Sequence, residues 1–318
     1  MVRSILDAVV IGRNEGTRLK ACLLSLRTDV RRLIYVDSGS SDGSVAMAVE
    51  LGAEVVALDM SRAFTAARAR NAGLAVLQGD AAPEFVQLVD GDCIVQPSWI
   101  DTALKAFADH PAAAVVCGRR RERFPEASVY NRLADGEWDT PIGLAKSCGG
   151  DAMMRFAELM KQGGYREDLI AGEEPELCLR LRRAGGEIWR IDAEMTLHDA
   201  AITRFGQWWR RTVRAGHAFA EGATLHGKSP DRHWVSETRR ALFWGAALPV
   251  AIMGAAAVAP VFAWAFAVYP LQWTRLARSG GAAWASFSLI GKFAEARGAL
   301  GYFLNRMIGR KRGLIEYK

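Results

Sequence analysis

The strongest constraint on how this chain folds is a repeated succession of short apolar runs and segments of helical periodicity. Apolar, largely β-branched runs occupy 6–12, 33–36, 54–58 and 85–89, and each is typical of a buried strand. Between them, apolar residues recur at the spacing of a helix, as over 17–26. Strands and helices in this order predict a doubly wound, mostly parallel α/β sheet.

Polar residues stand where three of these strands should end. Asn14, Asp37 and Asp90 follow the first, second and fourth apolar runs, and in such sheets ligands bind beyond the carboxyl ends of the strands. Asp90-Gly91-Asp92 would present two carboxylates to one opening, which suits a hard divalent cation such as Mg²⁺ or Mn²⁺ that bridges a diphosphate. Taken alone, the same triplet could equally be an acidic turn.

Two segments carry a resemblance to a known family. Residues 36–44 read Val-Asp-Ser-Gly-Ser-Ser-Asp-Gly-Ser and join a predicted strand to a predicted helix. Together with Asp90-Gly91-Asp92, this segment resembles the family 2 glycosyltransferases, which are inverting enzymes of the GT-A fold. Further matching segments follow the family's order and are Asn14-Glu15, Ala69-Arg70-Asn71-Ala72-Gly73 and Gly149-Gly150-Asp151. The resemblance spans roughly residues 5–200.

The resemblance implies that these positions bind a nucleotide diphosphate sugar and a divalent cation. The expected donor contacts are Asn14, Glu15 and Asp37 on the nucleotide, Arg70 near base and phosphate, Asp90 on the diphosphate, and Gly149 and Gly150 beside the sugar. Asp92 and Asp90 would hold Mg²⁺ or Mn²⁺, with His198 as a further ligand because similar enzymes often use a histidine at this point. An ordinary surface arginine at position 70 and a structural histidine at position 198 are the alternatives.

Inverting transfer to a hydroxyl also needs a general base opposite the leaving diphosphate. In the family this base is the second acid of a Glu-Asp pair ahead of a helix, and the chain has Gly172-Glu173-Glu174-Pro175 at the matching place. The resemblance therefore implies Glu174 as the base, with Glu173 as the alternative because glutamate replaces aspartate here. Pro175 at the first position of the predicted helix would also make Glu174 its N-cap.

Two further motifs are set aside. Residues 222–229 match the phosphate-loop pattern G-x-x-x-x-G-K-S, but a helical, arginine-rich stretch precedes them where a phosphate loop needs a buried strand. Residues 207–211 are similar to the Gln-x-x-Arg-Trp element of processive relatives, but no Trp follows the Arg. We therefore infer no processivity, and Trp208 and Trp209 are either acceptor platforms or packing residues.

Composition argues against several classes of protein. The five cysteines are an odd number, lie far apart and form no C-x-x-C pair, which argues against a disulfide framework and a structural zinc site. The net charge is +6 and the chain is basic after residue 275, but no nucleic-acid-binding motif accompanies that charge. The first residues lack the features of a signal peptide, so we expect a reducing, cytoplasmic setting for the catalytic part.

An uncharged apolar segment stands out in the C-terminal third. Residues 241–273 contain no charged side chain, and arginines flank both ends. The segment is long for one membrane span of about 20 residues and short for two, so the positive-inside tendency predicts a re-entrant or interfacial hairpin that turns near 254–260. A single tilted span and a buried helical pair are the alternatives. Residues 282–312 should form a basic amphipathic helix that lies on an anionic membrane surface.

These features predict a GT-A-like catalytic domain over 1–232 and a helical, membrane-associating tail over 233–318. We expect a metal-dependent, inverting glycosyltransferase at the cytoplasmic side of the inner membrane. Its acceptor would be a hydroxyl on a lipid-linked molecule or a glycan, in exopolysaccharide or cell-envelope glycan synthesis, and no nucleic acid would be a partner. The alternatives are a polyprenyl-phosphate glycosyltransferase, whose ionised acceptor needs no base, and a non-catalytic membrane-bound nucleotide-sugar sensor.

Overall fold

The structure is a computed structural model that describes residues 6–310, and these divide into two compact units. The first unit runs to Leu169 and resumes over Glu173–Ala201, and the second comprises Ile170–Gly172 and the chain from Ile202 onward. The predicted boundary at residue 232 falls inside the second unit. The assignment of catalysis to one part and membrane association to the other stays a prediction.

The first unit is built on one mixed sheet, which has nine strands within the described residues. The strands are β1 (Leu6–Gly12), β2 (Leu33–Asp37), β3 (Glu54–Ala57), β4 (Phe85–Asp90), β5 (Cys93–Val95), β6 (Ala113–Glu122), β7 (Gly143–Leu144), β8 (Ala152–Arg155) and β9 (Glu187–His198). Their order across the sheet is β3-β2-β1-β4-β8-β6-β9-β5, and β7 pairs with β9.

The predicted α/β class is confirmed, and the sheet also contains antiparallel pairs of strands. The first four strands are parallel to one another, and β6 is parallel to β9. β8, β5 and β7 pair antiparallel with their neighbours. Apolar periodicity identifies a strand but not its direction, so the sequence alone did not reveal these antiparallel pairs.

Seven α-helices accompany the sheet in the described part of the first unit. They are α1 (Thr17–Leu26), α2 (Ser44–Glu50), α3 (Ala66–Val76), α4 (Trp99–Asp109), α5 (Val129–Glu137), α6 (Phe156–Lys161) and α7 (Glu173–Arg183). The Trp- and Gly-containing sequence between 125 and 150 predicts irregular structure, and helix α5 shows that this prediction is wrong for Val129–Glu137. The Ser128 side chain accepts the backbone N–H of Asn131 at 3.0 Å, which caps the start of this helix.

Gly73 lies in α3 against the side chains of β1 and β2. An added Cβ would overlap Val9 Cγ1 and lie 3.0 Å from Val36 Cγ2. Gly73→Ala is therefore expected to lower the free energy of unfolding by about 1–3 kcal/mol, because crowding outweighs the gain in helix propensity. Urea unfolding measures the change. The matched control is Gly136→Ala in α5, where the new methyl meets nothing within 4 Å; equal losses in both variants would contradict the packing argument.

The described part of the second unit is formed by helices. They are α8 (Phe205–His226), α9 (Val235–Leu242), a π-helical segment (Phe243–Ala247), α10 (Leu248–Val258), a 3₁₀ segment (Pro260–Ala267) and α11 (Val268–Met307), which is kinked at Gly281. Gly222 lies inside α8 and not at a strand-to-helix loop, which excludes a phosphate loop at 222–229. Trp208, also on α8, packs edge-on against Phe287 of α11 at 4.9 Å between ring centroids, which favours a packing role.

The apolar segment of the second unit reverses direction at Ala259, an extended residue between α10 and the 3₁₀ segment. The Tyr269 hydroxyl donates to the Trp244 carbonyl oxygen at 2.7 Å and so joins the two arms. Large apolar side chains on these arms face outward, and Val258 and Trp264 are 86% and 80% exposed.

One described helix, Val235–Val258, is long and apolar enough to cross a membrane, with a mean hydropathy of 1.9. Length and composition alone support that statement. Membrane association therefore stays a prediction. So does the amphipathic segment 282–312, of which residues 311 and 312 lie outside the described residues.

Three glycines mark places where helices of the second unit nearly touch. They are Gly216, Gly245 and Gly298, and a Cβ added at any of them would overlap a backbone carbonyl oxygen of a neighbouring helix. No other amino acid fits at these positions unless the helices separate. The second unit is therefore held in part by direct contact between backbones.

Candidate active site

Asp37 ends β2 with both carboxylate oxygens occupied by neighbours. Its Oδ2 accepts the backbone N–H groups of Gly39 and Ser40, each at 2.9 Å, and its Oδ1 accepts the hydroxyl of Tyr35 at 2.9 Å. Burial raises the pKa of Tyr35, so the hydroxyl keeps its proton and remains a donor. Gly39 has a φ of 84°, which this tight turn requires and glycine adopts readily. The loop after β2 is thus fixed around one carboxylate.

Asn14 connects the end of β1 to the same loop. Its Oδ1 accepts the backbone N–H of Ser41 at 2.7 Å, and its own N–H donates to Ser40 Oγ at 2.8 Å. Asn14 has a left-handed backbone with a φ of 54°, a conformation that asparagine tolerates better than most residues. Glu15, the next residue, forms an ion pair with Arg18 at 2.7 Å. The two segments that the sequence assigns to the nucleotide therefore lie together.

Arg70 is a buried junction on α3. Its guanidinium donates to Asp90 Oδ1 at 2.7 Å, to Glu173 Oε1 at 2.9 Å and to the carbonyl oxygen of Gly150 at 3.4 Å. The side chain is 4% exposed, which excludes the alternative of an ordinary surface arginine. One side chain therefore joins the end of β4, the start of α7 and the glycine loop before β8.

Asp90 also faces a second arginine. Arg120 on β6 lies 3.4 Å from Asp90 Oδ2 and 3.5 Å from Asp151 Oδ2. Burial alone would raise the pKa of Asp90, but the charges of Arg70 and Arg120 outweigh it and hold that pKa below its ordinary value. Both oxygens of Asp90 are engaged by cations, so metal ligation by Asp90 would have to compete with two ion pairs.

Asp92 and His198 form a second cluster, on the other side of the Asp90-Gly91-Asp92 turn. The pairing of β5 with β9 sets Cys93 opposite His198, and Asp92 Oδ2 then lies 3.4 Å from His198 Nε2, with both side chains nearly buried. His198 Nδ1 has no hydrogen-bond partner among the described residues and faces Glu122 Oε2 at 3.7 Å.

This cluster fits a divalent cation. Two neighbouring ligands of an octahedral ion with bonds of about 2.1 Å lie about 3.0 Å apart, close to the separation of Asp92 Oδ2 and His198 Nε2. A carboxylate oxygen and an imidazole nitrogen suit Mn²⁺, and a carboxylate behind the other ring nitrogen is the usual support of a ligating histidine. Glu122 is the carboxylate behind Nδ1, and its Oε2, at 3.7 Å, would have to move closer to form that hydrogen bond.

Glu174 is buried among thiols, whereas Glu173 is not. Glu174 Oε1 accepts the backbone N–H of Cys148 at 2.7 Å, and the thiols of Cys178 and Cys148 at 2.9 and 3.1 Å. Burial raises the pKa of Glu174, and the hydrogen bonds from Cys178 and Cys148 oppose that rise. Helix α7 begins at Glu173, so Pro175 is its third residue, and the expectation that Glu174 is the N-cap is wrong.

The glycine loop before β8 lies against Asp90. Gly149 has a φ of 86°, and a Cβ at Gly150 would lie 2.9 Å from Asp90 Oδ2 and 3.1 Å from an Arg120 nitrogen. Asp151, which follows, accepts the Asp90 backbone N–H at 3.0 Å. A side chain at position 150 would therefore displace the ion pair that this loop covers.

Sequence reasoning missed Arg120 and Trp138. The Arg120 guanidinium lies 5.1 Å from the Trp138 ring centroid, and the same ring contacts His198 edge-on at 4.9 Å. A signal existed in the arginine run of β6, because alternate residues of a strand point to opposite faces. Arg119 and Arg121 pair with Asp135, and Arg120 between them turns toward the site.

Comparison with known proteins agrees with this geometry. Residues 7–147 match the sequence profile of the family described as Glycosyl transferase family 2. The chain is 28% identical over 240 residues to the pre-mycofactocin glycosyltransferase of Mycobacterium tuberculosis strain H37Rv, a match that covers 70% of this chain and 48% of that protein. It is 24% identical over 271 residues to the succinoglycan biosynthesis protein ExoA of Rhizobium meliloti, covering 80% of each. The chain spans about half the length of the first of these relatives.

Among solved structures, the chain is similar to the mannosyltransferase PcManGT from Pyrobaculum calidifontis, solved in complex with GDP-Man and Mn²⁺. The TM-score is 0.66 at 19% sequence identity, and the match covers 96% of this chain and 88% of that one. This similarity shows that the two proteins share the GT-A fold. The sequence profile over residues 7–147, the order of the motifs and the fold together support a family 2 glycosyltransferase.

Proposed function

We propose that this chain transfers a sugar from a nucleotide diphosphate sugar to an acceptor hydroxyl, with inversion at the anomeric carbon. The observation that carries the proposal is the position of Arg70, which bonds Asp90 at 2.7 Å and Glu173 at 2.9 Å. One buried cation thereby ties the predicted diphosphate side of the site to the helix that presents Glu174. A transferase needs these two features, an anion-binding end and a base, on one rigid frame.

The donor would lie along the carboxyl ends of β1, β2 and β4. The proposed contacts are Asn14, Glu15 and Asp37 on the nucleotide, Arg70 and Asp90 on the diphosphate side, and Gly149 and Gly150 beside the sugar. The related PcManGT was solved with the nucleotide sugar GDP-Man, which supports a donor of this class. Asp37 and Asn14 are already fixed by hydrogen bonds, so little ordering would be needed when the nucleotide binds.

Mg²⁺ or Mn²⁺ would be held by Asp92 and His198. Asp90 would be a ligand only if its ion pairs with Arg70 and Arg120 open. A divalent cation at this place supplies charge neutralisation for the diphosphate as it leaves. Arg120, 3.4 Å from Asp90 Oδ2, adds a fixed positive charge beside the same group. The related PcManGT was solved with Mn²⁺, which supports a metal of this type.

Glu174 would accept the proton of the acceptor hydroxyl. The acceptor oxygen then forms a bond to the anomeric carbon on the face opposite the diphosphate, and the carbon–oxygen bond to the nucleoside diphosphate breaks with its electron pair. The configuration at that carbon is inverted once. Buried surroundings that raise the pKa of Glu174 make it a stronger base than an exposed glutamate.

The pH dependence of transfer should report Glu174. Because the carboxylate is the active form, kcat/KM is expected to rise with pH through the pKa of Glu174, above the ordinary glutamate range. Cys178→Ala removes a donor that stabilises the carboxylate, so the pKa should rise further and the acid limb should move to higher pH. Initial rates across pH measure this limb. The control is Cys22→Ala, which removes a thiol that donates to the Asp90 backbone carbonyl oxygen and not to Glu174. An acid limb that Cys178→Ala leaves unmoved would argue against Glu174 as the general base.

We also propose that the acceptor is lipid-linked and that transfer occurs at the cytoplasmic side of the inner membrane. The exposed apolar side chains around Ala259 support membrane association, and the similar protein ExoA of Rhizobium meliloti is a succinoglycan biosynthesis protein. Flotation of the full chain with anionic phospholipid vesicles tests the location. A chain that stays in the aqueous fraction at low salt would remove this part of the proposal.

Donor binding and donor turnover test the central proposal separately. Thermal shifts are measured with a panel of nucleoside diphosphates and sugar nucleotides, with and without Mn²⁺. They should show stabilisation that requires both a nucleotide and Mn²⁺. Donor consumption should then follow in the presence of an acceptor. Stabilisation without any turnover would favour a nucleotide-sugar sensor, and the absence of any metal-dependent shift would contradict donor binding at this site.

A further inference from the structure

Glu174 lies between two cysteines that are 30 residues apart in the sequence. Cys178 is one helical turn after Glu174 on α7, so both side chains project from the same face of the helix. Cys148 comes from the loop between β7 and β8 and also donates its backbone N–H to Glu174. The two sulfur atoms are 3.6 Å apart, and each lies within 3.1 Å of Glu174 Oε1.

These three atoms form a triangle close to one face of a tetrahedral zinc site. With bonds of about 2.3 Å to sulfur and about 2.1 Å to oxygen, two thiolates lie about 3.8 Å apart and a thiolate and a carboxylate oxygen about 3.6 Å. The sulfur pair at 3.6 Å nearly matches that spacing. The Cys178 contact at 2.9 Å would have to open by about 0.7 Å, and Cys148, in a loop without helix or strand, can supply part of such a movement.

We propose that Cys148, Cys178 and Glu174 form a binding site for a thiophilic divalent cation of the Zn²⁺ type. Binding converts both thiols to thiolates and releases their two protons, with a third proton released if Glu174 carries one. Three protein ligands leave one tetrahedral position open for water. Cys148 is half-buried whereas Cys178 is buried, so the ion would enter from the side of Cys148.

The consequence for catalysis rests on the proposed function. An ion bound to Glu174 occupies the oxygen that accepts the proton of the acceptor hydroxyl, so a thiophilic metal inhibits transfer. In the cluster of Asp92, Cys93 and His198, Asp92 and His198 offer an oxygen and a nitrogen ligand, which suit Mg²⁺ or Mn²⁺. Mg²⁺ or Mn²⁺ would therefore support transfer, whereas a thiophilic ion of the Zn²⁺ type would inhibit it.

The test uses Cd²⁺ as the probe, because thiolate-to-cadmium absorption in the ultraviolet reports bound thiolates directly. The full chain, kept reduced by a phosphine, should take up one equivalent of Cd²⁺ with the absorption of two thiolates. Cys148→Ser and Cys178→Ser should each lose at least half of that absorption. Cys93→Ala is the matched control, since Cys93 is the thiol of the other cluster, and it should keep the full signal.

The outcomes separate this inference from the proposed function. The thiolate-to-cadmium absorption needs no substrate, so it tests the metal site even if the chain transfers no sugar. Absorption absent from the wild type, or retained in both serine variants while circular dichroism shows them folded, overturns the site. With transfer measured at saturating Mn²⁺, the Zn²⁺ concentration for half-inhibition should rise at least tenfold in Cys148→Ser relative to wild type; no change would overturn the inhibitory role.

Discussion

Glu174→Gln is expected to lower kcat for transfer to a hydroxyl acceptor by roughly 10²- to 10⁴-fold, the usual contribution of a positioned general base. The amide is nearly isosteric and can still accept the Cys148 N–H, so the loop should keep its place while the proton acceptor is lost. Donor binding, measured by thermal shift, should change little. Steady-state rates with a saturating acceptor measure the effect.

Glu173→Gln is the matched control for this prediction. Glu173 is the neighbouring acid, but its carboxylate pairs with Arg70 at 2.9 Å. Its loss should weaken donor binding and stability more than it lowers kcat. Near-normal turnover in Glu174→Gln would indicate an acceptor that is already ionised, such as a polyprenyl phosphate, whereas a larger fall in kcat for Glu173→Gln would exchange the roles of the two acids.

The second large effect is expected for Asp92→Asn. Metal assistance contributes several kcal/mol to such reactions, so loss of a ligand should lower kcat/KM by about 10²- to 10³-fold. The affinity for Mn²⁺, followed by the electron paramagnetic resonance of the free ion in the presence of a nucleoside diphosphate, should fall as well.

Asp90→Asn distinguishes the two acids of the turn. Asp90 is held by Arg70 and Arg120, so its replacement should lower the free energy of unfolding and weaken donor binding, while Mn²⁺ affinity falls less than in Asp92→Asn. Equal losses of Mn²⁺ affinity in the two variants would show that Asp90 is a ligand and that its ion pairs open when metal binds.

Much of this architecture could be predicted from the sequence because its strands are continuous apolar runs. β1, β2 and β4 are buried along almost their whole length, and polar residues at their ends mark the ligand side. The order of the motifs indicates Asp37, Arg70 and Asp90 as residues of the site. Such features are local, and local features are what a sequence displays directly.

The remaining features depend on which distant segments meet. Cys148 and Cys178 looked unrelated at 30 residues apart, yet a loop and a helix bring their sulfur atoms to 3.6 Å. The role of Arg120 follows from β6 lying beside β8 and β9, and Trp138 reaches His198 only because α5 forms where loop structure was expected. Contacts between distant segments depend on how helices and strands pack, and no periodic pattern in the sequence indicates them.

The backbone contacts at Gly216, Gly245 and Gly298 affect how well the helices of the second unit stay together in water and in lipid. A contact that depends on expelling water loses its driving force in hydrocarbon, because lipid tails are as apolar as the side chains themselves. A contact that depends on close fit between backbones keeps its dispersion energy in either medium. The helices of this unit therefore have a source of cohesion that survives when the surrounding water is exchanged for lipid.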